Sequence, residues 1–69
     1  MPLAMAEIGA KQVIKKINGK DDTKRFLENL GFVVGGEVTV VSQLSGNMIV
    51  NVKESRVAIS QTMANRIMV

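Results

Sequence analysis

The chain has 69 residues, of which nine are basic and six acidic, giving a net charge of +3; it contains no cysteine and no histidine. These features exclude a disulfide framework, thiolate or imidazole metal sites and histidine-based catalytic triads. The length allows one domain, over residues 1–69. Because a chain this short hides only about 60% of its unfolded surface, we expect it to be stabilised by packing alone or by association with a partner.

The N-terminal segment does not resemble a signal peptide. It has no basic residues at its start, and Glu7 interrupts its apolar stretch. No segment approaches the roughly 20 apolar residues of a membrane-spanning helix. We therefore expect a cytoplasmic protein, and the absence of cysteine fits a reducing compartment.

The first predicted strand covers residues 11–18, where β-branched Val13 and Ile14 stand between Gly9 and Gly19. Met5, upstream of it, is expected to pack into the core.

A short amphipathic helix is predicted over residues 22–30. Residues 21–23 offer N-cap side chains, and Gly31 follows where a left-handed residue ends a helix. The apolar side chains at helical spacing, which should be buried, are Phe26, Leu27 and Leu30.

The rest of the chain is predicted to form short strands. These are predicted over residues 37–42, 48–53, 57–59 and 66–69. Residues 44–47 should close a hairpin, residues 54–56 a turn, and Ser60 should cap one helical turn over residues 60–64. The side chains expected to face inward are Val38, Val40, Met48, Val50, Val52, Ile67 and Val69.

Five short strands with one helix after the first indicate a mostly β protein. Antiparallel strands this short hide their faces and edges only when the sheet curls on itself. We therefore predict a small, partly open barrel of the SH3-like type.

The sequence also resembles a known family. Residues 25–38 are similar to the R-L-x-x-L-G-[FL]-x-P-G-x-x-[VI] segment of the ferrous iron transport protein A (FeoA) family. Met5 and Ile8 match apolar places of the family's opening L-x-x-L-x-x-G pattern. The closing [IV]-A-L-R-x-x-x-A-x-x-I-x-V pattern is matched by residues 57–59 with Ala64, Ile67 and Val69.

The sequence departs from this pattern at three places: Val34 replaces proline, Phe26 replaces leucine, and Ser60 stands where arginine is frequent. The resemblance implies an SH3-like accessory protein that acts beside a membrane ferrous-iron permease with a cytosolic GTPase domain. It also extends to the C-terminal domain of iron-dependent repressors of the diphtheria-toxin-repressor type, whose winged helix has no counterpart in this chain.

The residues themselves predict no enzyme, cofactor or metal site. The serines fall at predicted turns and strand ends, and no histidine is present to activate them. Asp21 and Asp22 form the one acidic pair, but neighbouring residues do not share a helix face, so we assign them to helix capping. The glycines do not form a phosphate-binding loop.

Two alternatives to the accessory role remain open. A basic nucleic-acid-binding barrel is suggested by six cations in the first third of the chain, namely Lys11, Lys15, Lys16, Lys20, Lys24 and Arg25. Such barrels usually stack bases on aromatic side chains, and this chain has only two phenylalanines, so nucleic acid is the weaker candidate. The other alternative is a stand-alone metal-responsive regulatory domain.

Binding to another protein is the preferred hypothesis for the function. Leu44, in a polar loop, either folds back over the barrel or offers an exposed contact. The other candidate contacts are Met63, Lys24 and Arg25, and binding would act by stabilising one conformational state of the partner. The edge of the C-terminal strand also leaves homo-oligomer formation open.

Overall fold

More residues lie in short strands than in helices, which confirms the mostly β prediction. The computed structural model describes residues 1–69. In chain order, a 3₁₀ turn (Leu3–Met5) is followed by β1 (Lys11–Val13), β2 (Lys16–Ile17), α1 (Asp21–Leu30), β3 (Glu37–Leu44), β4 (Asn47–Val52), β5 (Ser55–Ser60), α2 (Gln61–Ala64) and β6 (Ile67–Met68).

The strands form two antiparallel sheets. Four of them lie in the order β1-β3-β4-β5, and β2 pairs with β6 in a sheet of two strands. The expected single strand over residues 11–18 is wrong, because the chain leaves the first sheet after Val13 and joins the second at Lys16. Between the sheets, the Ile14 N–H donates to the Gly36 carbonyl over 2.9 Å and the Ile14 carbonyl accepts from the Gly35 N–H over 2.8 Å.

The meander β3–β4–β5 provides much of the core. Alternate side chains on its concave face are buried, as the period-two pattern predicted. They are Val38, Val40, Met48, Val50, Val52 and Ile59. In β3 the register shifts between Val40 and Ser42, which leaves Val41 as an extra residue in a β-bulge that increases the local twist.

Two-residue turns connect the strands of the meander. Ser45 and Gly46 join β3 to β4, and Gly46 has a φ of 81°. Lys53 and Glu54 join β4 to β5 with φ values of 48° and 65°. The expected turn over residues 54–56 is therefore one residue too late, and β5 begins at Ser55.

Helix α1 begins and ends as its sequence suggests, but not with the cap that we predicted. Its N-cap is Lys20, which makes no side-chain capping bond, and Asp21 and Asp22 lie in the first turn. Those carboxylates therefore complement the helix dipole instead of capping free N–H groups. At the other end Gly31, with φ 109°, takes the left-handed conformation that we expected.

The end of α1 explains why Phe26 is exposed. The Gly31 N–H donates to the Glu28 carbonyl and the Phe32 N–H to the Leu27 carbonyl, each over 2.9 Å, which is the Schellman arrangement. This turn folds Phe32 back into the core, where it is fully buried beside Leu27, whereas Phe26 remains 50% exposed. The prediction that Phe26 is buried is therefore wrong, while Leu30 packs partly against the core.

The N-terminal segment packs through other residues than expected. Side chains three apart lie on the same face of a 3₁₀ turn, so Leu3 and Ala6 are both buried while Met5 is 72% exposed. The expected packing of Met5 is wrong for this reason.

The C-terminal strand has neighbours on both sides. β6 pairs with β2 on one side, and on the other the Val69 N–H donates to the Met1 carbonyl over 2.8 Å. Ile67 and Val69 are buried as predicted. This strand therefore offers no free edge for pairing between copies. No helix is long and apolar enough to cross a membrane.

Candidate partner-binding surfaces

Leu44 lies at the tip of the β3–β4 hairpin and is the first of the predicted contact residues. Its side chain is 62% exposed, so it does not fold back over the barrel. Leu44 pairs with Asn47 across the Ser45–Gly46 turn, which places it at the closed end of a paired hairpin. An exposed leucine held in this way can enter an apolar pocket of a partner without first being ordered.

The strand register surrounds Leu44 with two further apolar residues. Ser42, two residues before Leu44, pairs with Ile49, and Ile49 pairs with Ala58. Paired residues and residues two apart share one face of a sheet, so Leu44, Ile49 and Ala58 all lie on the convex face. Ile49 is half-buried and Ala58 exposed. We call these three residues the outer-face patch.

Met63 lies near the same end of the molecule but contributes less surface. Helix α2 starts beside the hairpin tip, because the Gln61 N–H donates to the Gly46 carbonyl over 3.0 Å. The Ser60 hydroxyl accepts from the Met63 N–H over 3.2 Å, as predicted for the cap. The Met63 side chain packs partly against the core, so most of its surface is not available to a partner.

Lys24 belongs to a second surface, a groove between β2 and α1. Three lysines line it: Lys15 and Lys16 at β2, and Lys24 on α1. Ile17, Val33 and Val34 supply apolar walls, and Glu28 is the one acidic residue. We call this feature the lysine groove.

Arg25 lies outside the lysine groove. It borders a shallow hollow on the surface of α1 together with Asp21, Lys24 and Glu28. Two acidic side chains therefore accompany the two cations there. Lys24 and Arg25 therefore share this hollow with two carboxylates, and Lys24 also lines the lysine groove.

The two surfaces lie on different parts of the fold. The C-terminal end of α1 adjoins the β4–β5 turn, since a Cβ at Gly31 would lie 3.5 Å from Lys53 Cδ. The outer-face patch extends from the other end of β4 to Ile49 in the middle of the strand. Sequence reasoning missed Ile49 and Ala58, although alternation along β4 and β5 placed them opposite the core residues.

The carboxylates are dispersed over the molecule. No group of three or more histidine, cysteine, aspartate or glutamate side chains is placed to hold a metal ion.

Comparison with known proteins gives consistent matches over the whole chain. The FeoA domain model matches residues 1–69. A Methanocaldococcus jannaschii protein provisionally named Fe(2+) transport protein A is 32% identical over 68 residues, which cover 99% of this chain and 83% of that protein.

Solved structures agree with the sequence matches. An iron uptake regulatory protein (FeoA) superposes with a TM-score of 0.88 at 27% identity, covering 96% of this chain and 88% of the other. The Stenotrophomonas maltophilia FeoA, crystallised with zinc and described as a procaryotic SH3 domain protein, gives a TM-score of 0.83 at 28% identity, covering 99% and 87% of the two chains.

These matches confirm the SH3-like fold and the family resemblance that the sequence indicated. The domain match spans every residue, and a relative above 30% identity covers nearly the whole chain. On this basis, the chain belongs to the FeoA family.

Proposed function

We propose that this protein is a cytoplasmic accessory factor of ferrous iron uptake that docks on the cytosolic GTPase-domain region of a membrane Fe(II) permease. Membership of a ferrous iron transport family supports the process. The observation that most supports the docking role is the 62% exposure of Leu44 at the tip of a paired hairpin. In this role iron is the cargo of the permease, and the accessory protein does not ligate it.

The mechanism is differential binding. A small barrel that fits one nucleotide state of the GTPase domain better than another shifts the population toward that state by its difference in affinity. A tenfold difference corresponds to about 1.4 kcal/mol, which a few buried apolar contacts supply. The outer-face patch provides such contacts, and this mechanism requires no catalytic residue in the chain.

Nucleic-acid binding is the weaker alternative. Phe32 is fully buried and Phe26 is not among the residues that line the lysine groove. A single strand in that groove would therefore meet lysines without an aromatic stacking platform.

The docking proposal is tested by retention of the protein on the immobilised cytosolic domain of the permease, in the nucleotide-free, GDP-bound and GTP-analogue states. We expect retention in at least one state, and loss of about tenfold or more in affinity for Leu44→Asp, because a carboxylate would be desolvated at the contact.

A matched control is Phe26→Asp. It changes the net charge by the same amount and alters a side chain of similar exposure, 50% against 62%, on a different surface. Absence of retention for the wild type in every nucleotide state contradicts the proposal, and so does equal loss in both variants.

A further inference from the structure

We propose that the lysine groove binds an acidic segment of a partner protein in which apolar side chains alternate with carboxylates. The inference rests on the proposed function only for the identity of the protein that carries this segment. The chemistry of the segment follows from the groove itself.

The charges of the groove are only partly balanced within the molecule. The one ion pair of the structure joins Lys11 Nζ and Glu37 Oε2 at 3.1 Å, so none of Lys15, Lys16 and Lys24 forms a salt bridge, although Asp21 and Glu28 lie beside Lys24 along α1. Glu28 is the one carboxylate along the groove. Three cations from two elements thus converge on one concavity, and carboxylates of a ligand would relieve their mutual repulsion.

The apolar walls restrict what this ligand can be. Val34 is 66% exposed, Val33 is half-buried, and both line the same groove as the lysines. Burying the exposed surface of a valine is favourable, and a free phosphate or a nucleic-acid backbone would not bury it. A ligand with apolar and acidic groups in turn satisfies both kinds of lining.

The shape of the groove favours a peptide over a membrane surface. Its volume of about 370 Å³ lies at the lower end of the range for small-molecule sites. A concavity of this size takes a few side chains of an extended segment. A lipid surface would instead meet the rim of the groove and leave half-buried Val33 uncovered.

The probe for this proposal is a fluorescein-labelled peptide of sequence ELELELE, followed by anisotropy at low salt. A peptide EGEGEGE carries the same charge without the apolar groups. We expect ELELELE to bind more tightly than EGEGEGE, and its affinity to fall as salt is added, because surface charge attraction is screened.

Charge-reversal variants locate the binding. Lys15→Glu/Lys16→Glu should weaken ELELELE binding by about tenfold or more. Lys53→Glu/Arg56→Glu changes the net charge equally at exposed sites outside the groove, and it should cost little. Val34→Ser should weaken ELELELE but not EGEGEGE, whereas Val13→Ser, which alters an exposed valine elsewhere, should affect neither. Circular dichroism checks that each variant remains folded.

Four outcomes would overturn the inference: no binding of ELELELE, equal affinity for the two peptides, equal losses in the two double variants, or tighter binding of a single-stranded oligonucleotide. The peptide result is independent of the permease experiment. Peptide binding without retention on the permease domain would support the groove as a binding site and contradict the permease as the partner. Retention on the permease domain without peptide binding would contradict the groove proposal alone.

Discussion

The meander β3–β4–β5 and the helix α1 make different use of their residues. The meander contributes six of the 15 buried residues, whereas α1 contributes Leu27 alone. The remaining side chains of α1 are mostly exposed, among them Phe26, Lys24 and Arg25. The meander therefore contributes more to the core than α1 does, and the surface of α1 is free to vary with function at little cost to the fold.

The largest expected effect is the contrast between Met48→Ala in the meander and Phe26→Ala in α1. Met48 is 2% exposed and Phe26 50% exposed. We expect Met48→Ala to lower the free energy of unfolding by about 2–5 kcal/mol, and Phe26→Ala by about 0.5 kcal/mol or less. Urea unfolding followed by circular dichroism measures both. Similar losses in the two variants would mean that α1 is as important to stability as the meander.

The next effect concerns the end of α1. Gly31→Ala introduces a Cβ at a φ of 109°, although the nearest atom, Lys53 Cδ, would lie at 3.5 Å without a clash. The cost is therefore backbone strain, on the order of 1–2 kcal/mol. Thermal unfolding measures this loss. An unchanged midpoint would show that the position of Phe32 does not depend on the left-handed glycine.

The smallest effect is a gain within the meander. Lys53 and Glu54 occupy a two-residue turn with φ values of 48° and 65°, and asparagine followed by glycine is favoured where both residues are left-handed. Lys53→Asn/Glu54→Gly should therefore raise the free energy of unfolding by roughly 0.5–1 kcal/mol. Chemical denaturation of the double variant measures this gain in the free energy of unfolding. Ser45→Asn, in the turn of the other hairpin, serves as the comparison. A loss of stability would indicate that the side chains of the turn contribute more than its backbone strain costs.

The same division explains how much of the fold the sequence predicted. Alternation with period two identified the buried face of β3 and β4, because β4 pairs along its whole length and the bulge in β3 comes only after Val38 and Val40. The prediction of a single strand over residues 11–18 was wrong because a barrel corner between Val13 and Lys16 interrupts the period-two alternation. The predicted burial of Met5 and Phe26 was wrong because a 3₁₀ turn and a Schellman turn determine which neighbouring residue is buried. Hydrophobicity alone does not encode that choice.

The candidate surfaces were predictable only in part. The exposure of Leu44 was predictable because an apolar residue among polar neighbours is visible in the sequence, although Leu44 ends β3 and does not lie in the predicted loop. The grouping of Lys24 with Lys15 and Lys16 was not predictable, because these lysines meet only after β2 and α1 fold together. A surface assembled from two elements depends on tertiary geometry, whereas a residue at a hairpin end is marked by its neighbours in sequence.

The proposed function requires direct binding to the permease. Calorimetric titration of the permease's purified cytosolic GTPase-domain region with this protein is the most direct test of that binding. We predict saturable binding in at least one nucleotide state, weakened about tenfold or more by Leu44→Asp and retained by Phe26→Asp. Absence of saturable binding by the wild-type protein in the nucleotide-free, GDP-bound and GTP-analogue states would contradict it.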